Sequence, residues 1–359
     1  MTLLAEPTQQ PKSSPPPQRD RGRRIVGKVF ADQRTGLLIL IVVLVIVFGS
    51  LRSTFFDERF VIFPLLRDIA TLSVVGLSQL AVLSIGHLNI AVGRMASFGA
   101  MFMGISYQEW HLPLYVGLVI GLIAGTAIGA LTGLIITTSG VNSFVVTLAM
   151  DFALLGLISL VYSSFTTSAA FTVKPDGMEE LRQYSLADVC VGNVCGSGAI
   201  PQLAIFAVIA MCVVGYLFSR ARTGREMLMV GANPIAAELS GIPVHRRIIG
   251  AHALSGGLAA LAGFLLAVTS GSFTASIGSE FMLPSFLGPV LGGTLLTGGA
   301  VSIIGTFLGT SLTQVIQQGL TMLGASVESL AISLGTILLA ALSLDRVRQL
   351  VSDRKAVRR

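Results

Sequence analysis

The chain has 359 residues, of which 53% are hydrophobic and 12% charged, with a mean hydropathy of +0.81. These values exclude a soluble domain or a string of them, because a chain this apolar and this poor in charge cannot cover its surface with polar groups. The net charge of +6 does not point to nucleic acid, since the basic residues gather at breaks between apolar runs and not on one folded patch.

Residues 1–35, with PTQQPKSSPPPQRDRGRR at their centre, have too little apolar surface to fold and are expected to form a disordered cytoplasmic tail. Within it GRRIVGK, residues 22–28, imitates a phosphate loop, but Val29 follows where a magnesium-holding Ser or Thr is needed. No nucleotide site is expected in this chain, nor a metal site. Apolar runs then predict membrane spans at 36–51, 62–86, 88–107, 113–137, 143–164, 200–219, 249–270, 283–299, 301–322 and 327–343. The expected fold class is therefore an all-α polytopic integral membrane protein of about ten helices, with the permease domain at 36–343. Gly and Ser interrupt the eighth and ninth runs, which leaves both open to a broken or re-entrant form.

Lys and Arg crowd both tails, including the basic segment 344–359, so both termini are expected in the cytoplasm. That placement needs an even number of spans; ten meets it, and also puts 220–248, with Arg220, Arg222, Arg225, Arg246 and Arg247, on the cytoplasmic side. The same count sends 165–199 outside, where Asp176, Glu179, Glu180 and Asp188 outnumber Lys174 and Arg182. Cys190 and Cys195 would share an oxidising compartment there, with a disulfide and two free thiols both open.

Gly117, Gly121, Gly125, Gly129 and Gly133 recur at every fourth position of the fourth span. Small residues so spaced make a groove that a neighbouring helix can enter; packing within one subunit is the first reading and a dimer seam the second. Ionisable residues within spans are functional candidates, here Arg67, Asp68, Arg94, Asp151 and His87. Arg67 and Asp68 lie near enough to a span end to reach water, whereas Arg94 and Asp151 lie deeper, where a mutual ion pair is one option. Asn89, Asn142, Gln314, Gln317 and Gln318 are uncharged polar groups that either line a solute route or join helices.

The most specific signal is GANPIAAELSGIPVHRR at 231–247. Asn233 is a good N-cap, Pro234 suits the first helical position, 235–240 make the body, and Gly241 can take a left-handed stop. Such a short stiff helix between two spans is either a connector on the membrane surface or a knob that docks into a partner. The segment resembles the coupling loop of permease subunits of ribose-type ABC importers, of the branched-chain amino acid/ribose superfamily and the ribose/vitamin B12-type architecture. HALSGGLAALAGFLLA from His252, LGPVLGGTLLTGGAVSIIGTFLGT from Leu287 and QQGLTMLGAS from Gln317 are similar to that family's C-terminal half. VNSFVVTLAM from Val141 is similar to its fifth span, and LNIAVG from Leu88 stands where sugar permeases have a segment like DLSVG, with Asn89 in place of Asp.

The resemblance implies a non-catalytic subunit of a bacterial inner-membrane importer for a small polar solute, a monosaccharide or related polyol, with branched-chain amino acids or nucleosides as the alternative. It further implies a cytoplasmic ABC ATPase that binds the ATP and magnesium, an extracytoplasmic solute-binding protein and a second permease copy forming a homodimer in the lipid bilayer. No cofactor is expected in this chain. Gly231, Asn233, Pro234, Ala236, Ala237, Glu238, Ser240 and Gly241 are the expected coupling residues. An ion-coupled secondary transporter, with Asp151 and Arg94 at the midplane, is the rival reading.

Overall fold

The computed structural model describes residues 33–339 apart from 168, 189, 192, 193, 196, 197, 327, 334 and 338. The expected N-terminal tail lies outside the described residues as far as 32, and the basic segment 344–359 lies outside them entirely. In chain order the helices are α1 (Gln33–Leu51), α2 (Phe63–Leu83), α3 (Val92–Gln108), α4 (Leu114–Ser139), α5 (Ser143–Phe165), α6 (Met178–Gln183), α7 (Ala204–Ser219), α8 (Arg222–Ala232), α9 (Pro234–Leu239), α10 (Val244–Ser270), α11 (Met282–Leu291) and α12 (Ile303–Met322). Four two-residue strands, β1 (Ala170–Phe171), β2 (Cys190–Val191), β3 (Val194–Cys195) and β4 (Phe273–Thr274), pair antiparallel as β1 with β4 and β2 with β3.

The expectation of ten spans is corrected. Among the described residues five helices are long and apolar enough to cross a membrane: Arg34–Leu51, Glu58–Leu83, Leu114–Ser139, Ser143–Phe165 and Val244–Ser270. A sixth results if Ala204–Ser219 and Arg222–Ala232, bent by 69° at their junction, form one span. The remaining apolar runs fail for separate reasons. The run at 88–107 yields a helix of only 17 residues, because residues 84–91 turn before α3 begins. The run at 283–299 stops being helical at Gly292, after ten residues of α11. The run at 301–322 does form a 20-residue helix, but Thr, Ser and Gln dilute it. The run at 327–343 passes out of the described residues.

The helices make a bundle whose two ends carry different things. At one end Gly299 N donates to Ser84 O at 3.1 Å, Leu88 N donates to Ser143 Oγ at 3.3 Å, and Gly231 lies against Ser84, Ile85 and Gly299. At the other, Tyr107 OH donates to Leu114 O at 2.7 Å, Tyr162 OH donates to Phe273 O at 3.0 Å, and Phe171 pairs with Phe273 through β1 and β4. Residues 231–247 thus sit opposite the 165–199 loop. Since α3 runs from the first end to the second, the chain changes ends there as well, so counting apolar spans alone does not assign sides.

The glycine stripe of α4 is used within the subunit. A Cβ at Gly117 would meet Tyr107 and Ser106, one at Gly121 would meet Met103, and one at Gly125 would lie 2.5 Å from the Ala260 methyl. Gly129 and Gly133 face His252 and Ile249 on α10. Helix α4 therefore lies in contact with α3 and α10 at backbone distance, the close approach that replaces hydrophobic drive in lipid. Helix α10 is the centre of the molecule, packed on α2, α3 and α4.

Candidate functional site: a capped short helix and a buried polar network

The segment at 231–247 builds a capped knob from local chemistry. Asn233 Oδ1 accepts from Ala236 N at 3.0 Å, Pro234 occupies the first helical position, and Ser240 closes α9 as its C-cap. Gly241 follows with φ +78°, a conformation costly for any residue carrying a Cβ. Ala237 is 4% exposed and turns toward the bundle, while Ile235 and Leu239 are 73% and 86% exposed. The outward face is thus aliphatic and bulky, not a gap made by small side chains. Ala236 and Glu238 are also exposed.

Two devices fasten this knob to the bundle. Glu226 on α8 accepts from Arg222 Nε and from Arg247 Nε, each at 2.6 Å, so one carboxylate ties α8 to the start of α10. Gly231, at the end of α8, leaves no room for a side chain: a Cβ there would lie 2.6 Å from Gly299 N and 3.0 Å from Ile85 Cα. Gly298 stands equally close to Gly86 N. The 231–247 segment therefore touches the two irregular stretches, 84–91 and 292–302, through backbone atoms.

Asn89 lies in the first of these stretches and is fully buried. Its Nδ2 donates to Ser255 Oγ at 3.1 Å and to Met95 Sδ at 3.4 Å, and its Oδ1 accepts from Ala91 N at 3.0 Å. Ser255 Oγ also meets Ser78 Oγ at 3.0 Å. With the Gln79 amide turned to satisfy both groups, its nitrogen donates to Asn89 O at 3.0 Å and its oxygen accepts from Asn89 N at 3.3 Å. Asn89 thus holds a helix break in place and has its hydrogen-bonding groups engaged by protein. Asn89→Ala is expected to cost about 1–3 kcal/mol by leaving these groups unpaired, read as a lower unfolding temperature in detergent with solute affinity unchanged.

The other expected pathway residues are dispersed. Arg94 Nε on α3 lies 3.6 Å from Asp151 Oδ1 on α5, with side chains 19% and 24% exposed, so the two charges compensate each other at a half-buried position. Asn142 caps α5, accepting from Phe144 N at 2.9 Å. It lines a cavity of about 460 Å³ with His87, Ser143 and His245. Beside that cavity His87 Nδ1 and His252 Nε2 share a hydrogen bond of 3.3 Å. Gln314 and Gln317 ride on α12, which packs against α11, α2 and α1; Gln314 Oε1 is buried without a partner. Sequence reasoning missed Ser78, Gln79, Ser255 and His252, whose signal was the presence of polar residues inside apolar runs.

At the opposite end, Glu179 accepts from Gln183 Nε2 at 2.6 Å and from Lys174 Nζ at 3.1 Å, with Arg182 Nη1 at 3.4 Å. These partners, Gln183 foremost, hold its carboxyl below the ordinary 4.5. A carboxylate depressed in the folded state stabilises fully above its unfolded value, and that contribution fades as the pH falls through the folded value. Protection factors for hydrogen exchange in 170–185, taken against the intrinsic rate at each pH, are therefore expected to fall as the pH drops below 4.5, and Glu179→Gln to remove that pH dependence. Cys190 and Cys195 stand opposite each other in the β2–β3 register; their side chains lie outside the described residues.

The apolar bundle, with five or six helices long and apolar enough to cross a membrane among the described residues, is that of a multi-pass membrane protein. A family model for the permease component of branched-chain amino acid transport systems matches residues 61–342, and the chain belongs to that family. It is a non-catalytic ABC-importer permease subunit for a small polar solute, and hydrolysis of ATP falls to a separate subunit. Among curated relatives, the fructose import permease protein FrcC of Rhizobium meliloti is 27% identical over 312 residues, 86% of this chain and 84% of its own. The autoinducer 2 import system permease protein LsrD of Yersinia enterocolitica is 29% identical over 290 residues, 80% of this chain and 84% of its own. LsrD of Photorhabdus temperata is 28% identical over 305 residues, 85% of this chain and 88% of its own. No solved structure matches the chain.

Proposed function

We propose that the chain imports a monosaccharide or related polyol across a bacterial inner membrane, with the 231–247 end in the cytoplasm and the 165–199 end outside. The observation that carries the coupling half of this reading is the capped helix presenting Ile235 and Leu239 at the end opposite the 165–199 loop. Desolvated aliphatic anchors of that kind fit a hydrophobic cleft on an ATPase subunit. The solute half is supported by the names of the fructose and autoinducer 2 permeases.

In this reading the ATPase, carrying ATP and magnesium, docks on α9, a binding protein delivers solute at the other end, and a second copy of the chain completes the route. Asn142, Arg94 and Asp151 are its proposed lining, and Cys190 and Cys195 its proposed disulfide. Directly opposed residues of an antiparallel pair stand about 4.5–5.5 Å apart at Cα, within disulfide reach. Non-reduced peptide mapping that returns two free thiols would remove that bridge. The solute reading is tested by mass spectrometry of ligand carried by the cognate binding protein and by uptake in proteoliposomes holding all subunits. A bound monosaccharide and ATP-dependent uptake of it are expected; an aliphatic amino acid as the sole ligand, or uptake driven by a proton or sodium gradient without ATPase, would count against it.

A further inference from the structure

At the end carrying the 165–199 loop lies a second polar cavity, of about 820 Å³, framed by Arg59, Arg67, Arg182, Glu58, Glu179 and Tyr184. Arg67 sits near the N-terminus of α2, where the helix dipole gives a cation nothing, and its Nε is buried without a hydrogen-bond partner. Among the described residues no carboxylate lies within ion-pair distance of Arg59 or Arg67. Of the two lining carboxylates, Glu179 is already shared by Lys174, Arg182 and Gln183. The cavity's own lining thus carries three guanidiniums, Arg59, Arg67 and Arg182, against two carboxylates, Glu58 and Glu179, while Asp68 acts on Arg67 electrostatically from outside the lining. A guanidinium fork matches the paired oxygens of a carboxylate or phosphate, and the volume lies within the range of small-molecule sites.

We propose that this cavity binds a small hydroxylated anion, a sugar carboxylate or a sugar phosphate, between Arg59 and Arg67, with Tyr184 and Gln183 meeting its hydroxyls. The importer reading contributes only the side of the membrane, since the importer could run with the cavity empty. Both faces of a nanodisc are open, so binding is measured there without the ATPase or the binding protein. Calorimetry on the full chain in phosphatidylcholine nanodiscs, titrated with glucuronate, glucose 6-phosphate and glucose, is expected to show saturable binding of one anion and none of glucose. The anion that binds separates the carboxylate from the phosphate. Arg67→Gln and the exposed Arg59→Gln should each weaken that binding at least fivefold, and Arg67→Lys should restore less than half of the loss. Absence of binding by either anion, equal binding of glucose, or unchanged affinity in Arg59→Gln would overturn the site. If neither anion binds while Arg59→Gln weakens capture of the binding protein, the cavity is a protein-docking surface and the proposal is wrong. Loss of ATP-driven uptake with anion binding intact would fault the importer reading alone.

Discussion

Leu239→Asp combined with Ile235→Asp is expected to abolish ATP-driven uptake while leaving membrane insertion and thermal unfolding as in the parent chain. Both side chains stand clear of the bundle, at 86% and 73% exposure, so their removal takes nothing from the fold. On an ATPase surface the same side chains would be desolvated anchors, and such anchors are worth about 2 kcal/mol or more each. Two introduced carboxylates would also be buried without partners at the contact. A loss of about 3–4 kcal/mol corresponds to several hundredfold weaker subunit association. Co-purification of the ATPase measures the first effect and solute-stimulated ATP hydrolysis the second. Normal co-purification and full uptake by the double variant would make α9 a surface connector. Ala237 is not a clean probe, because it packs inward and its replacement disturbs the subunit itself.

Gly129→Leu should have the largest effect on folding. A Cβ there meets the His252 carbonyl and stands 3.1 Å from Gly256 Cα, both backbone atoms of α10 that cannot rotate away. Overpacking a core costs about 1–3 kcal/mol where side chains can shift, and more is expected here because two helix axes must separate. The monodisperse yield in detergent should fall and the unfolding temperature drop by several degrees. Gly156→Leu on α5 is the control, since no atom lies within 4 Å of its Cβ position, and it should be silent. Equal behaviour of the two variants would refute the assignment of the stripe to α10.

Much of this was legible in the sequence where the determining physics is local. The caps of α9 are short-range: Asn233 bonds three residues ahead, and Gly241 turns on its own φ. The stripe from Gly117 to Gly133 was legible because its spacing repeats the helix period. The number of spans was not, because the breaks at 84–91 and 292–302 are held by contacts distant in sequence: Gly299 N with Ser84 O, Asn89 with Ser255. Hydropathy reads through such breaks as though the chain continued straight. The facing of Ala237 was hidden for another reason, since a six-residue helix has too few turns to show an apolar period. The contact of Arg94 with Asp151 depends on how α3 and α5 meet, which no spacing rule supplies.

The junction of Gly231, Gly86, Gly298 and Gly299 has one more consequence. Its contacts run from main chain to main chain, so under the proposed docking of an ATPase on α9 a stroke would pass into the core through backbone atoms here, alongside the Glu226 side-chain tie. On that proposal drive and selectivity would be separate trades within one subunit: the walls of the route could be recut for a new cargo while the linkage that moves them stayed as it was.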